Sequence, residues 1–358
     1  MIISRTPFRI SFFGGGTDYP AWYREHGGAV LSTSINKYCY ISCRYLPPFF
    51  KYKYLIRYRL REEVSALSEI QHASVRECLK FLGIEHGIEM VHTSDLPGQS
   101  GIGSSSAFTV GFLKALYALE GRMVGKRHLA KEAIFIEQKV IGEHVGSQDQ
   151  VAAAFGGLNR IEFNGQEDFI VQPVTIGPRK TSELQNHLML FFTGFSRTAS
   201  EIAAEQIQNI ASRAAELTAM HQMVDEATRI LGGPSDSIDD FGKLLHESWR
   251  LKRTLTSRIT TTAIDQMYDA AIGAGATGGK LCGAGGGGFL LLFVPPRKRR
   301  MVQRALHDLL HVPFQFESLG SQITYYADEG PSIDYHASAP YLDVPTSRTR
   351  SLETVETT

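Results

Sequence analysis

Apolar and polar positions recur first with a period of two and then with a period near 3.6, and the switches between the two lay out the chain. Residues 2–13 (IISRTPFRISFF) read as a strand running into Gly14, Gly15 and Gly16, and residues 28–46 as a second strand. In FFKYKYLIRYRLREE, Lys51, Lys53, Arg57, Arg59 and Arg61 alternate with Tyr52, Tyr54, Ile56, Tyr58 and Leu60, which predicts one strand with a basic, solvated face. A helix over about Ile70–Leu82 and a strand Ile88–His92 precede the loop PGQSGIGSSS. The helix after it, Ala107–Leu119, is apolar nearly all round and is predicted to be buried. From Arg127 to Gly142 the helical period puts Ala130, Ile134, Glu137 and Ile141 on one stripe, so a carboxylate stands on the apolar side. Arg160–Phe163 and Phe169–Val174 predict a hairpin around Asn164-Gly165.

Beyond the hairpin, Leu188–Phe192 reads as a strand and leads through the loop Thr193–Ser200 into one long amphipathic helix. Ile207, Ile210, Ala214, Leu217 and Val224 keep its period until Gly232-Gly233-Pro234. Two further helices carry Leu245 and Trp249, then Ile264, Met267, Tyr268 and Ala271. A glycine run, GAGATGGKLCGAGGGG, abuts the strand FLLLFV, and a helix over 297–310 and a strand over 314–326 close the pattern. Strand, helices, strand, helix, strand suits a split βαβ sandwich. The expected organisation is α+β, with domains over 1–180 and 181–336 and a polar, disordered tail over 337–358.

Charge narrows the partner. Lys plus Arg and Asp plus Glu both total 37, so no net field favours nucleic acid or an anionic membrane, and a small molecule is the expected partner. No window approaches a membrane-spanning apolar run and the start lacks a secretory pattern, so a cytoplasmic protein is expected, as a monomer or a homodimer. Cys39, Cys43, Cys78 and Cys282 are scattered, which favours buried free thiols over disulfides or zinc.

The candidate chemistry centres on Pro97, Gly98, Gly101, Gly103, Ser104, Ser105 and Ser106. Glycines let backbone N–H groups approach an anion, a helix N-terminus adds unpaired N–H groups, and serine hydroxyls can cap the helix or reach a phosphate-bound metal. An ordinary serine-capped turn is the plainer alternative. Arg9 inside a strand and Asp18 beyond the triple glycine are either ligand contacts or a salt-bridged and a turn-stabilising residue. Glu137 requires a buried basic partner or a cation. Asp149 lies in a polar turn in GSQDQVAAAF, where it would act on a ligand or cap a helix. Two nucleotide motifs fail on context. Gly283, Gly285 and Gly288 fit G-x-G-x-x-G but precede a strand, and Gly279-Lys280 is followed by Leu281 where a P-loop needs Ser or Thr. The glycine run is better explained by backbone packed closely beside a phosphate or the serine loop.

FRISFFGGGTDYP, PGQSGIGSSSAF and GAGGGGFLL, in this order, resemble the GHMP kinase superfamily over roughly Arg5 to Tyr326, and most of all its bacterial heptose 7-phosphate kinases. The resemblance implies an N-terminal β-α-β domain with a left-handed crossover and a C-terminal ferredoxin-like domain, with ATP and acceptor between them. It implies that the serine loop holds the ATP phosphates, that Ser105 and Glu137 bind Mg²⁺ with Glu143 a weaker candidate, and that Asp149 and Arg9 are catalytic. Gly16, Thr17, Asp18, Gly285 and Gly286 would contact the acceptor. Arg197, ahead of a helix, is a candidate reader of a phosphate already on it. The expected activity is phosphorylation of a sugar phosphate at its anomeric hydroxyl. A free-sugar kinase of the fucokinase or galactokinase type and a non-catalytic sensor on the same scaffold are the alternatives, and a nicotinamide oxidoreductase is disfavoured by the failed fingerprint.

Overall fold

The computed structural model describes residues 1–47, 49–165, 168–194, 199–233 and 237–327; Arg197 and the tail over 337–358 lie outside them. The chain opens with β1 (Ile2–Phe13), α1 (Pro20–His26), β2 (Gly28–Tyr45), β3 (Tyr54–Arg57), β4 (Arg61–Val64), α2 (Ala73–Leu82) and β5 (Ile88–Ser94). It continues through α3 (Ser104–Leu119), α4 (Lys126–Phe135), α5 (Gln148–Phe155), β6 (Leu158–Phe163), β7 (Phe169–Pro173), α6 (Pro178–His187) and β8 (Leu188–Gly194). Four helices follow, α7 (Ala199–Asn209), α8 (Ala214–Gly232), α9 (Ile238–Thr254) and α10 (Thr262–Gly273). The last elements are β9 (Gly278–Leu281), β10 (Gly288–Phe293), α11 (Arg299–Ala305), β11 (Leu310–His311), β12 (Phe316–Glu317) and β13 (Gln322–Tyr326).

Two sheets organise these elements. The larger runs β13-β1-β2-β5-β3-β4, with β6 and β12 also on β2 and β7 on β6. Its hub is β2, and beside it β1 is buried without a break from Thr6 to Phe13 because α3 covers one side while α8 and α9 approach the other. The close fit of α3 requires Gly111, where a Cβ would lie 2.6 Å from Thr6 Oγ1. The smaller sheet runs β11-β8-β10-β9, every pair antiparallel. Strands β8 and β9 therefore run the same way with β10 between them, the split βαβ arrangement expected from the sequence. Helix α9 lies on β9, and a Cβ on Gly278 would meet the Gly242 carbonyl oxygen at 2.1 Å.

Three expectations change. The basic segment is a hairpin, not one strand: the Tyr58 N–H donates to the Leu60 carbonyl at the turn, and Arg57 and Arg44 both pair with Glu89 on β5. The long helix breaks at a 3₁₀ turn, Ile210–Arg213, where Asn209 Nδ2 donates to the Leu255 carbonyl at 3.1 Å. The strand expected over 314–326 is two strands that return to the first sheet, β12 on β2 and β13 on β1. Residues 181–336 are therefore not one contiguous second domain, because strand partners are set by long-range pairing that local periodicity does not encode. The four cysteines are buried and free. Among the described residues no helix is long and apolar enough to cross a membrane.

Candidate active site

A cavity of about 590 Å³ opens between the two sheets, lined from the first by Arg9, Ser11, Gly15, Gly16 and Asp18 and from the second by Lys280, Gly283 and Ala284. The serine loop adds Gln99, Gly101, Gly103, Ser104, Ser105 and Ser106, the segment into α5 adds Glu143 and Asp149, and α7 adds Ala203 and Gln206. The glycines of the loop are required by contact. Gly101 has φ +81 and a Cβ there would lie 2.4 Å from the Cys282 carbonyl oxygen; Gly103 has φ +74 and faces Arg9 and Asp149. Gln99 holds φ 56, the sole non-glycine positive φ among the described residues. Gly103 also occupies the N-cap of α3, so no side chain caps the first turn. Ser104 Oγ instead accepts from the Gln99 N–H at 3.2 Å. The helix thus presents its first N–H groups and its positive end to the cavity, an arrangement suited to an anion.

Over this mouth stand Arg9 and Asp149. Arg9 Nε donates to Asp149 Oδ1 at 2.7 Å and Nη2 to Oδ2 at 2.8 Å, while Nη1 donates to the Gly101 carbonyl at 2.8 Å. This is a fork-on-fork pair that fixes both groups and ties them to the loop. Asp149 is the second residue of α5, not its cap; Ser147 occupies that place. Asp18, almost fully buried, accepts from the Gly16 N–H at 2.9 Å and the Gln148 N–H at 3.3 Å. Burial pushes its carboxyl up and neighbouring Asp149 adds to the rise.

Glu137 is fully buried in a π-helical segment, Ile136–Ile141, that continues α4. Its Oε2 accepts from Ser106 Oγ at 2.8 Å and Gln150 Nε2 at 2.5 Å, and among the described residues its Oε1 has no hydrogen-bond partner. Burial lifts its pKa to about 7; Glu143 adds to the rise and the hydroxyl and amide donors oppose it. Among the described residues no basic group pairs with it. Magnesium bound to phosphates asks for one or two carboxylates from the protein, and the unfilled oxygen fits that demand.

Two family models match: "GHMP kinases N terminal domain" over residues 69–157 and "GHMP kinases C terminal" over 234–311. The D-glycero-alpha-D-manno-heptose 7-phosphate kinase of Campylobacter jejuni is 31% identical over 308 residues, 79% of this chain and 86% of that protein. The chain belongs to the GHMP kinases. The structure of a D-glycero-D-manno-heptose 1-phosphate kinase from Bacteroides thetaiotaomicron matches with a TM-score of 0.69 and 26% identity, covering 91% of this chain and all of that one. The galactokinase of Pyrococcus furiosus is 26% identical over 79% of this chain and 86% of its own. This GHMP kinase is accordingly a phosphotransferase of the sugar-kinase type, and the family takes its phosphate from ATP.

Arg9, Gly16, Asp18, Gly101, Gly103, Ser104, Ser105, Ser106 and Asp149 share the kinase's cavity. Pro97 and Gly98 are not on its wall; the Pro97 carbonyl accepts from Ser100 Oγ. Thr17 is buried away from it: its hydroxyl donates to the Gly14 and Ala29 carbonyls and staples the triple-glycine turn. Glu137 sits one layer behind the wall, bonded to Ser106 and not to the exposed Ser105. Gly285 and Gly286 pack on Ile259, whose carbonyl accepts from the Gly286 N–H, while their neighbours Gly283 and Ala284 line the cavity. The expectation that the glycine run packs on the serine loop is met at Gly288, where a Cβ would lie 2.3 Å from the Ser100 carbonyl oxygen. Sequence reasoning missed Lys252 and Lys280, which line the cavity too. Leu245, Trp249 and Lys252 fall at i, i+4 and i+7, the same spacing that singled out Glu137.

Proposed function

We propose that this kinase transfers the γ-phosphate of ATP to the anomeric hydroxyl of a sugar phosphate such as D-glycero-D-manno-heptose 7-phosphate. The observation that carries the reading is the Arg9–Asp149 fork held at the N-terminal end of α3. N–H groups at Gly101 to Ser105 hold the triphosphate, and Asp18 orients a sugar hydroxyl. The acceptor oxygen attacks the γ-phosphorus, the bond from that phosphorus to the bridging oxygen breaks, and ADP leaves. Asp149 fixes the hydroxyl and takes its proton; Arg9 keeps Asp149 oriented and adds positive charge beside the transferring group. Ser105 and Glu137 would hold Mg²⁺, which when bound neutralises phosphate charge. Ser106 and Gln150 orient the Glu137 carboxylate. A phosphotransferase drawing on ATP works where ATP is plentiful, in the cytoplasm.

The galactokinase and fucokinase relatives favour a free sugar as the second reading. Incubating the protein with Mg-ATP and a panel of sugars and sugar phosphates, and locating the new phosphate by phosphorus NMR, decides between them. Phosphate on the anomeric oxygen of the heptose 7-phosphate is the expected result; ATP consumption with no sugar in the panel would overturn the proposal.

A further inference from the structure

Lys252 on α9 and Lys280 on β9 reach the cavity from the second sheet, 5% and 3% exposed. Lys280 Nζ donates to the Phe12 carbonyl at 3.0 Å, and Lys252 Nζ donates to the carbonyls of Leu281, at 3.3 Å, and Gly283. Among the described residues neither amino group is bonded to a carboxylate, and an ammonium has three N–H groups to place. Lys252 is lowered to about 7, first by burial and then by Lys280 and Arg9, and Lys280 to about 8, first by burial and then by Arg9, with Cys282 opposing both. Asp18 attracts both weakly, and its oxygens already accept from Gly16 and Gln148.

As ammonium groups these two buried amines keep unfilled donors beside a guanidinium and facing a cavity, a charged state that is costly unless an anion joins them. A phosphoryl group, with two negative charges and three acceptor oxygens, has the matching chemistry. The nucleotide phosphates already have a cradle in the serine loop of the other domain. Lys280 is bonded to the Phe12 carbonyl and both lysines feel Asp18, the residue that orients the acceptor in the function proposed above.

We infer that Lys252 and Lys280 form an anion subsite that grips a phosphate the acceptor already carries. The inference rests on the sugar-kinase reading and names the group that selects among sugars. It differs from the role expected of Arg197, which lies outside the described residues.

The test compares wild type, Lys252→Met, Lys280→Met and Arg197→Ala on D-glycero-D-manno-heptose 7-phosphate and on the same heptose without phosphate. Each lysine variant is expected to lower the ratio of kcat/KM for the phosphorylated over the plain sugar by about tenfold or more, the loss of one charged hydrogen bond. Its Kd for Mg-ATP by calorimetry stays within about twofold of wild type. A ratio that falls only in Arg197→Ala overturns the inference. So does weakened ATP binding at an unchanged ratio, which would assign the lysines to the transferring phosphate. A wild type that turns over neither sugar, yet is thermally stabilised by the heptose phosphate and not by the heptose, through both lysines, would sink the kinase reading alone; no stabilisation would sink the subsite. Should Lys252→Met or Lys280→Met fail to fold by circular dichroism, Lys252→Gln or Lys280→Gln takes its place alongside this thermal-shift comparison.

Discussion

Gly101 and Gly283 meet backbone to backbone across the cleft: a Cβ on Gly283 would lie 2.3 Å from the Gly101 Cα, and both residues hold positive φ. Neither can gain a methyl group without driving the serine loop from the second sheet. Gly283→Ala is therefore expected to lower the unfolding free energy by at least about 2 kcal/mol in urea titration, combining a φ penalty with a backbone clash. It should also raise the KM for ATP, because the displaced loop carries the N–H groups proposed to hold the phosphates. An unchanged denaturation midpoint would mean that the junction is slack.

Asp149→Asn removes the proton acceptor and turns one side of the fork with Arg9 from attraction to an amide contact. The turnover number should fall by at least about a hundredfold, a general acid–base magnitude, with the far-ultraviolet circular dichroism unchanged. Near-normal turnover would dismiss Asp149 as the base.

Metal dependence separates the two acids near the serine loop. Glu137→Gln should raise the Mg²⁺ concentration for half-maximal rate steeply. Ser106→Ala, which deprives Glu137 of an orienting hydroxyl, should raise it by about tenfold, a typical effect of a group behind the ligand. If Glu143→Gln has the larger effect, the cavity-wall carboxylate is the ligand and Glu137 is structural.

Lys252 gives a signed dependence on pH. Its native pKa, about 7, lies below the ordinary lysine value of 10.5, so between these limits the unfolded chain binds more protons and the native state gains stability as pH rises. Below about 7 the buried charge carries its full penalty. Without phosphate ligands, Lys252→Met should therefore compare best with wild type at pH 6 and progressively less well towards pH 10 in thermal denaturation. Lys280, Cys282, Arg9 and Asp18 face the same group, so the trend, not its midpoint, is the diagnostic. A stability difference independent of pH would mean that the amine is solvated.

Much of this site could be read from residue order because its chemistry is local. The serine loop shows its close packing through glycines that only tight backbone contact explains, and the helical period alone put Glu137 on the buried side. What failed was whatever depends on distant partners. Thr17 has the same composition signal as Gly16, yet its hydroxyl is drawn inward by the Gly14 and Ala29 carbonyls. The Arg-rich segment resembles one strand until Glu89 recruits Arg57 and Arg44 from different strands. Lys252 was legible by spacing but is flanked by exposed Arg250 and half-buried Arg253, which hide one fully buried cation in a basic run.

The return of β13 to β1 has a practical corollary. Met1 and Ala327 exchange backbone hydrogen bonds, each 2.9 Å long, so the smaller sheet is an excursion out of the larger one and back. A single cut near residue 180 would strip β12 and β13 from the N-terminal fragment and leave β1 with a bare margin. Splicing residue 327 to residue 1 through a short linker and reopening the chain elsewhere is the rearrangement this architecture tolerates, whereas bisection is the one it forbids.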